Sequence, residues 1–271
     1  MPHLATRIAE TVAAQLRERI LRDPLPDGML PKQEQLMEEF GVSAPSIREA
    51  LRILETEGLI TIRRGRFGGA YAHRPDSAST SYALGLALQG QQTTLEDLAQ
   101  AIRTFEPLSS ASCATRADRL STVVPLLAAN LEACEEALDG PDFTRLAREF
   151  HDLIVEYTQN SAVRLLVKSI VSLWSTQEET WAYNVAASGS YPDIAEQRAA
   201  LNSHKKIAAQ IAVGDSGAAE MQSRKHLEAA QERTILRAFR DRVVDAASPV
   251  AAQNFRRFRT STRSNLAESG Q

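Results

Sequence analysis

Two sets of side chains in this sequence can do chemistry. The first is a run of arginines. Between Val42 and Arg74 stand Arg48, Arg52, Arg63, Arg64, Arg66 and Arg74, against only Glu49, Glu55 and Glu57. Guanidinium is permanently charged and presents a planar fork of donors, which suits phosphate oxygens and the major-groove edge of guanine. The three arginines of Arg63-Arg64-Gly65-Arg66 repel one another in a compact turn unless an anion is nearby, and the glycine lets backbone approach a partner closely. The second set is imidazole. Three of the five histidines, His151, His204 and His226, fall in the C-terminal two-thirds of the chain. Neutral imidazole suits Zn²⁺, Ni²⁺ and related ions, and three such ligands leave positions open for water or an incoming carboxylate. A single histidine on an amphipathic helix is ordinarily a packed or surface residue, so residue type alone does not decide the matter.

The arginines need a frame, and residues 32–73 supply one. Leu36, Met37 and Phe40 give a short helix its apolar face, and Gly41 breaks it. Ser43 is placed to cap the next helix through its hydroxyl, and Pro45 falls in the first turn, where its missing N–H costs nothing. Ile47, Leu51 and Leu54 then turn to the core, which leaves Ser46, Arg48 and Arg52 on flanks able to meet DNA. Gly58 ends this helix. Residues 59–62 read as a strand, Gly65, Gly68 and Gly69 as turn and bulge, and 70–73 as the returning strand. Helix, tight turn, helix and hairpin make a winged helix-turn-helix, whose second helix fits the major groove of B-DNA. Upstream, Leu4, Ile8, Val12, Leu16 and Ile20 predict a first helix with one apolar stripe, ended by Asp23-Pro-Leu-Pro-Asp-Gly28.

The histidines belong to a different region. Residues 74–80 are polar and Pro-containing, the natural boundary between a domain over 1–74 and one over 75–245. The second domain shows only helical patterning, over 78–89, 95–118, 120–138, 142–158, 161–186, 193–213 and 215–243. Six or seven helices joined by short turns imply an antiparallel bundle, so the fold class is mostly α. Trp174, Trp181 and Tyr183 share one helix and either line its pocket or pack. Asn160 is expected to end a helix. Past Asp245 the pattern fades, and 246–271 is expected to be a flexible tail made basic by Arg256, Arg257, Arg259 and Arg263.

Bulk properties bound these readings. A chain of 271 residues accommodates two domains, and a net charge of −3 averages away the local basic stretch. Cys113 and Cys134 lack metal-ligand spacing and read as buried thiols of a reducing compartment. The N-terminus has no signal-peptide pattern, and the longest apolar run, Tyr82 to Leu88, is too short to span a bilayer. A cytoplasmic location with no membrane partner is the expectation.

Over residues 8–73 the chain is similar to GntR-superfamily transcriptional regulators of the FadR subfamily. The similarity rests on Gly28-Met-Leu-Pro31, Gln35-Leu36, Phe40-Gly-Val-Ser43, Ile47-Arg-Glu-Ala-Leu51, Leu54-Glu-Thr-Glu-Gly-Leu59 and the Arg64-Gly65 wing. From 78 to about 235 it resembles the helical effector domain called FCD, through Arg103-Thr-Phe-Glu-Pro107, Phe150-His-Asp-Leu153 with Asn160, the segment His204 to Asp215, and His226-Leu227. The resemblance implies that Arg48 is the recognition-helix arginine and that Arg64 meets the minor groove. Lys32 can reach a phosphate, and Ser43, Ser46, Arg52, Gly65 and Arg66 complete the DNA-binding set. It also implies that His151, His204 and His226 occupy metal-ligand positions for Zn or Ni, and that Arg103 faces the cavity and pairs with an effector carboxylate. Three departures stand out. Glu34 and Ala44 replace arginines that relatives carry, which shifts base preference. Ala147 replaces the aspartate that relatives place one turn before the first histidine, which weakens a metal site.

These features point to a ligand-responsive transcriptional regulator, a repressor, bound as a homodimer to a pseudo-palindromic double-stranded DNA operator and released by a small organic acid or an acyl thioester. Two alternatives remain open at this stage: a helical metal-dependent enzyme with a secondary winged helix, for which three imidazoles could activate water, and a metal sensor in which the ion itself is the signal.

Overall fold

The computed structural model describes residues 2–22, 25, 28–65, 68–140, 142–186 and 193–246, with the side chains of 2–6, 181–186, 234 and 235 outside that description. The chain divides into two compact units between Ser79 and Thr80. That point lies just past the boundary expected at 74/75. Asp76 caps the helix that runs through it: its carboxylate accepts from Ser79 N at 2.9 Å while Ser79 Oγ accepts from Asp76 N at 3.0 Å, and this reciprocal cap starts helix α4 (Ser77–Gly90).

In the first unit, α1 (Pro2–Arg22) buries Ala9, Val12, Ala13, Leu16 and Ile20. Ile8, expected in the stripe, is 36% exposed. A strict four-residue repeat drifts about 40° per step around a 3.6-residue helix, so the stripe passes to Ala9 instead. Helix α2 (Gln33–Phe40) buries Leu36 and stops at Gly41, whose φ of +63° is left-handed. Helix α3 (Ala44–Thr56) begins with Pro45 in its first turn and buries Ile47, Ala50 and Leu54. Ser43 holds the N-cap position but makes no side-chain cap bond. Strands β1 (Ile60–Arg63) and β2 (Gly69–Ala72) pair antiparallel, Ile60 opposite Ala72 and Arg63 opposite Gly69, one residue from the expected spans. One apolar core joins α1, α2, α3 and the hairpin through Leu16, Leu36, Ile47, Leu54 and Ile60. The winged helix-turn-helix is present as expected.

Among the described residues, the second unit contains seven helices of thirteen residues or more: α4, α5 (Leu95–Thr115), α7 (Val124–Glu136), α8 (Phe143–Glu156), α9 (Ser161–Ala186), α10 (Ile194–Val213) and α11 (Ser216–Gln231). The expected helix over 120–138 is split. A four-residue helix α6 (Arg119–Thr122) precedes α7 because Pro125 lacks an N–H and its ring crowds the carbonyl four residues back. Asn160 does not end a helix. Its Oδ1 accepts from Ala162 N at 3.0 Å and Val163 N at 3.1 Å, which caps the start of α9. Helix α5 contains Pro107, which leaves the Arg103 carbonyl without its helical donor. Arg224 of α11 supplies one instead, its Nη1 donating to Arg103 O at 2.7 Å, and so fastens α11 to α5.

The expected helix over 215–243 also ends early. After α11 come a π-helical turn (Glu232–Leu236) and a short α12 (Arg237–Phe239). The chain then runs back along the N-terminus of α5: Leu95 N donates to Arg242 O at 2.8 Å and Val244 N to Thr93 O at 3.0 Å. Asp245 exchanges two backbone bonds with the Gln177 amide of α9, each 3.0 Å, and Ala246 N donates to Gln89 Oε1 of α4 at 3.0 Å. Cys113 and Cys134 are buried free thiols, and burial pushes the Cys113 thiol up to about 12. No described helix is long and apolar enough to cross a membrane. The tail expected over 246–271 lies, apart from Ala246, outside the described residues.

Candidate functional site

The first candidate surface is on α3 and the hairpin. Pro45, Arg48, Arg52 and Thr56 recur at helical spacing and are all exposed. Arg48 has no ion-pair partner among the described residues. Arg52 forks onto Glu49, Nε to Oε2 at 2.9 Å and Nη2 to Oε1 at 2.6 Å, an exposed pair readily exchanged for another anion. Ser46 is not on this face. It is 8% exposed and its Oγ lies 3.3 Å from Ser43 Oγ; two residues from Arg48 means about 200° around the helix, toward the core. Lys32 is exposed just ahead of α2, its amide bonded to Gln35 Oε1 at 2.9 Å. In the wing, Arg63 lies over the Tyr71 ring at 4.0 Å and braces the strands. Arg64 and Gly65 are exposed at the tip, where Gly65 takes φ +108°, a conformation that strains any side chain. Arg66 lies outside the described residues.

The second candidate is a cavity of about 640 Å³ in the helical unit. At one end three imidazoles converge from three helices: His151 of α8, His204 of α10 and His226 of α11. Their Nε2 atoms stand 3.2 Å (151–204), 3.0 Å (204–226) and 3.1 Å (151–226) apart. Such a triangle is poorly served by N–H···N bonds, whose donors would have to point 60° apart. It does fit one shared cation: nitrogens about 2.1 Å from an ion are separated by about 3.0 Å at adjacent octahedral positions and about 3.3 Å at tetrahedral ones. The Nδ1 atoms of His204 and His226 are buried without partners among the described residues. His204 is 1% exposed and stacks on Phe150 with centroids 4.2 Å apart, which fixes its ring. The residues therefore fit a divalent transition metal, held by His151, His204 and His226.

The third ring is oriented by a residue that sequence reasoning passed over. Glu106 of α5 is buried, and its Oε1 lies 2.6 Å from His151 Nδ1, which sets that nitrogen as donor and turns the Nε2 lone pair toward the other two. Burial by itself would lower the His151 pKa; the Glu106 charge, its hydrogen bond and the charges of Asp152 and Glu178 outweigh this and raise it. His204 and His226 are held well below the ordinary imidazole value, first by burial, then by neighbouring imidazoles and, for His226, by Arg233. Glu106 was legible in principle: Leu95, Leu98, Ala99, Ile102 and Glu106 form one buried stripe of α5, and an acid on an apolar stripe needs a partner.

The remaining walls include Ile102, Phe143, Val171, Trp174, Leu227 and Phe239, with Arg148, Glu178, Glu196, Arg233 and Arg237 as charges. Trp174 thus lines the cavity; the side chains of Trp181 and Tyr183 are outside the described residues. Ala147 lines it too and offers no ligand atom. Arg103, expected to face the cavity, is not part of its wall. Its Nη2 bonds Glu96 Oε1 at 2.6 Å and its Nη1 bonds Gln231 Oε1 at 3.2 Å, because Glu96 stands two turns back on the same face of α5. The guanidiniums on the wall belong to Arg148, Arg233 and Arg237.

Residues 8–67 match the family described as bacterial regulatory proteins of the gntR family, and residues 97–229 match the FCD domain. The Uxu operon transcriptional regulator of Escherichia coli K12 is 28% identical over 233 residues, 85% of this chain and 88% of that protein. The HTH-type transcriptional repressor NanR of Salmonella newport is 32% identical over 166 residues, 59% of this chain and 62% of that protein. A solved Streptococcus agalactiae GntR structure superposes with a TM-score of 0.60 at 20% identity, covering 85% of this chain and all of that one, a likeness of fold alone. The family is one of regulators, so the enzyme alternative loses its footing. With both halves matched in order, the chain belongs to the gntR family of bacterial regulatory proteins, its winged helix followed by an FCD domain.

Proposed function

We propose that this chain is a repressor that acts as a homodimer on a pseudo-palindromic operator and is released by a small organic acid taken up beside a Zn or Ni ion. Residues 1–74 are the reader and 75–245 the effector and dimerisation domain. Each α3 enters a major groove through Arg48 and Arg52, each wing tip sets Arg64 against the neighbouring minor groove, and Lys32 meets a phosphate. Two-fold symmetry of the protein calls for matching half-sites. The observation that carries the reading is the pairing of an exposed, unneutralised Arg48 in one unit with a cavity that ends in three converging imidazoles in the other. The name of the NanR relative supports repression. The cavity of about 640 Å³ lies within the range of sites that enclose a compact small molecule.

Footprinting on the DNA around the chain's own gene tests this. One protected region with two related half-sites about one helical turn apart is expected, and a small acid should abolish it in metal-loaded protein. Protection at no site contradicts the reading. Release by metal alone, with no acid, moves it to a metal sensor.

A further inference from the structure

One charged donor in the cavity is left over. Arg148 stands on α8 three residues before His151 and lines the same space. Its Nη atoms reach Glu179 at 3.3 Å and Glu178 at 3.4 Å, long beside the roughly 2.7–2.9 Å of a good charge-assisted bond. Its Nε is buried with no partner among the described residues, although the side chain as a whole is 27% exposed. A guanidinium N–H withdrawn from water without an acceptor is costly, and an arriving acceptor recovers that cost. Glu178 has a second donor, Trp174 Nε1 at 2.9 Å, so it stays hydrogen-bonded if Arg148 turns away. Arg103 is engaged by Glu96 and Gln231, and Arg233 and Arg237 are exposed.

Resting on the reading of this cavity as the effector pocket, we propose that Arg148 is its selecting arm: its Nε edge takes a carboxylate of the small acid, and Glu178 is the counter-ion which that carboxylate displaces. Recognition of this kind favours acids over their neutral isosteres, because a neutral carbonyl can accept the Nε–H but brings no charge to replace Glu178 beside the guanidinium. Removing Arg148 and removing its counter-ion must then act in opposite directions.

The test uses the full-length native protein, metal-loaded and metal-free, with acetate and succinate as probes and acetamide as the neutral control. Binding is read by tryptophan fluorescence, since Trp174 touches Glu178, and by thermal shift. Saturable acetate or succinate binding is expected, with none for acetamide. Arg148→Gln should weaken it at least tenfold, Arg148→Lys, which lacks the Nε–H edge, severalfold, and Glu178→Gln should tighten it severalfold. Parallel changes in Arg148→Gln and Glu178→Gln, unchanged affinity in both, or no saturable binding to the native protein overturns the assignment. Operator binding by ligand-free native protein, measured alongside, separates the two readings: intact DNA binding with a failed probe result removes only the arm, whereas the predicted probe result without DNA binding removes the regulator instead.

Discussion

The reading head and the cavity place their charge in opposite ways. In the head, Lys32, Arg48 and Arg64 point into solvent, where salt screens them and where only a large, densely charged partner can engage them together. In the cavity, His204, His226 and Glu106 are all buried, sheltered from salt and addressable only by something small enough to enter. The difference teaches how one chain can carry two kinds of site: exposed, exchangeable charge suits DNA, while a buried, geometrically fixed set of donors suits an ion or a molecule small enough to enter. Changes in the two regions should therefore have distinct signatures.

The largest effect is expected at the imidazoles. His204→Ala should reduce bound Zn or Ni from about one per chain to near zero by elemental analysis, and Zn should raise the melting temperature of native protein but not of this variant, since a ligand at 100 times its Kd contributes about 2.7 kcal/mol. Comparable metal content in both proteins would mean the cluster is not the site.

The same region predicts a pH signature in metal-free protein. Below the ordinary imidazole value of about 6.5, the unfolded chain binds protons that folded His204 and His226 refuse, so stability falls as pH falls. His151, with a raised value, works the other way: it holds a proton in the folded state that the unfolded chain releases, so its contribution is lost as pH rises through its folded value. Glu106 of α5, Asp152 of α8 and Glu178 of α9 set that pull, and Arg233 of the π turn opposes it at His226. Denaturation midpoints should peak near neutrality, and a midpoint still rising from pH 7 to 9 would contradict the opposed shifts.

In the head the effects are smaller and salt-sensitive. Arg48→Ala should cost about 1–3 kcal/mol of operator affinity if it reads a base, with loss of preference at one position per half-site in a binding-site selection. Arg64→Ala should weaken all duplexes alike and lower the salt slope by about one. Smallest of all, Ser46→Ala should leave operator preference untouched and alter stability by no more than about 1 kcal/mol, because among the described residues the buried hydroxyl meets only Ser43 Oγ. A changed base preference in this variant would return Ser46 to the DNA face.

What the sequence revealed divides along the same line. The head is written in consecutive residues: Gly41 stops α2, Pro45 opens α3 and Gly65 turns the wing, so local backbone chemistry makes it legible within a residue or two. Ser46 was misplaced because polar character outweighed its angular position opposite Arg48. The cavity depends on pairings 22, 53 and 75 residues apart, which no local pattern encodes. The three histidines were found by resemblance, although one clue was internal: Gly214 makes a hairpin of α10 and α11, which brings His204 and His226 to one level. Glu106 and Arg148 were missed because their importance comes from what other helices place opposite them. Arg103 went to Glu96, two turns back on its own helix, rather than to the cavity.

The most direct test of the claim that this chain reads DNA through an exposed arginine surface is operator affinity measured against salt concentration for native protein and Arg48→Ala side by side. The account predicts nanomolar binding of the native protein that weakens steeply with salt, and a variant weaker by about 5- to 150-fold at every salt concentration. Equal affinities, or native binding that salt does not touch, would contradict it.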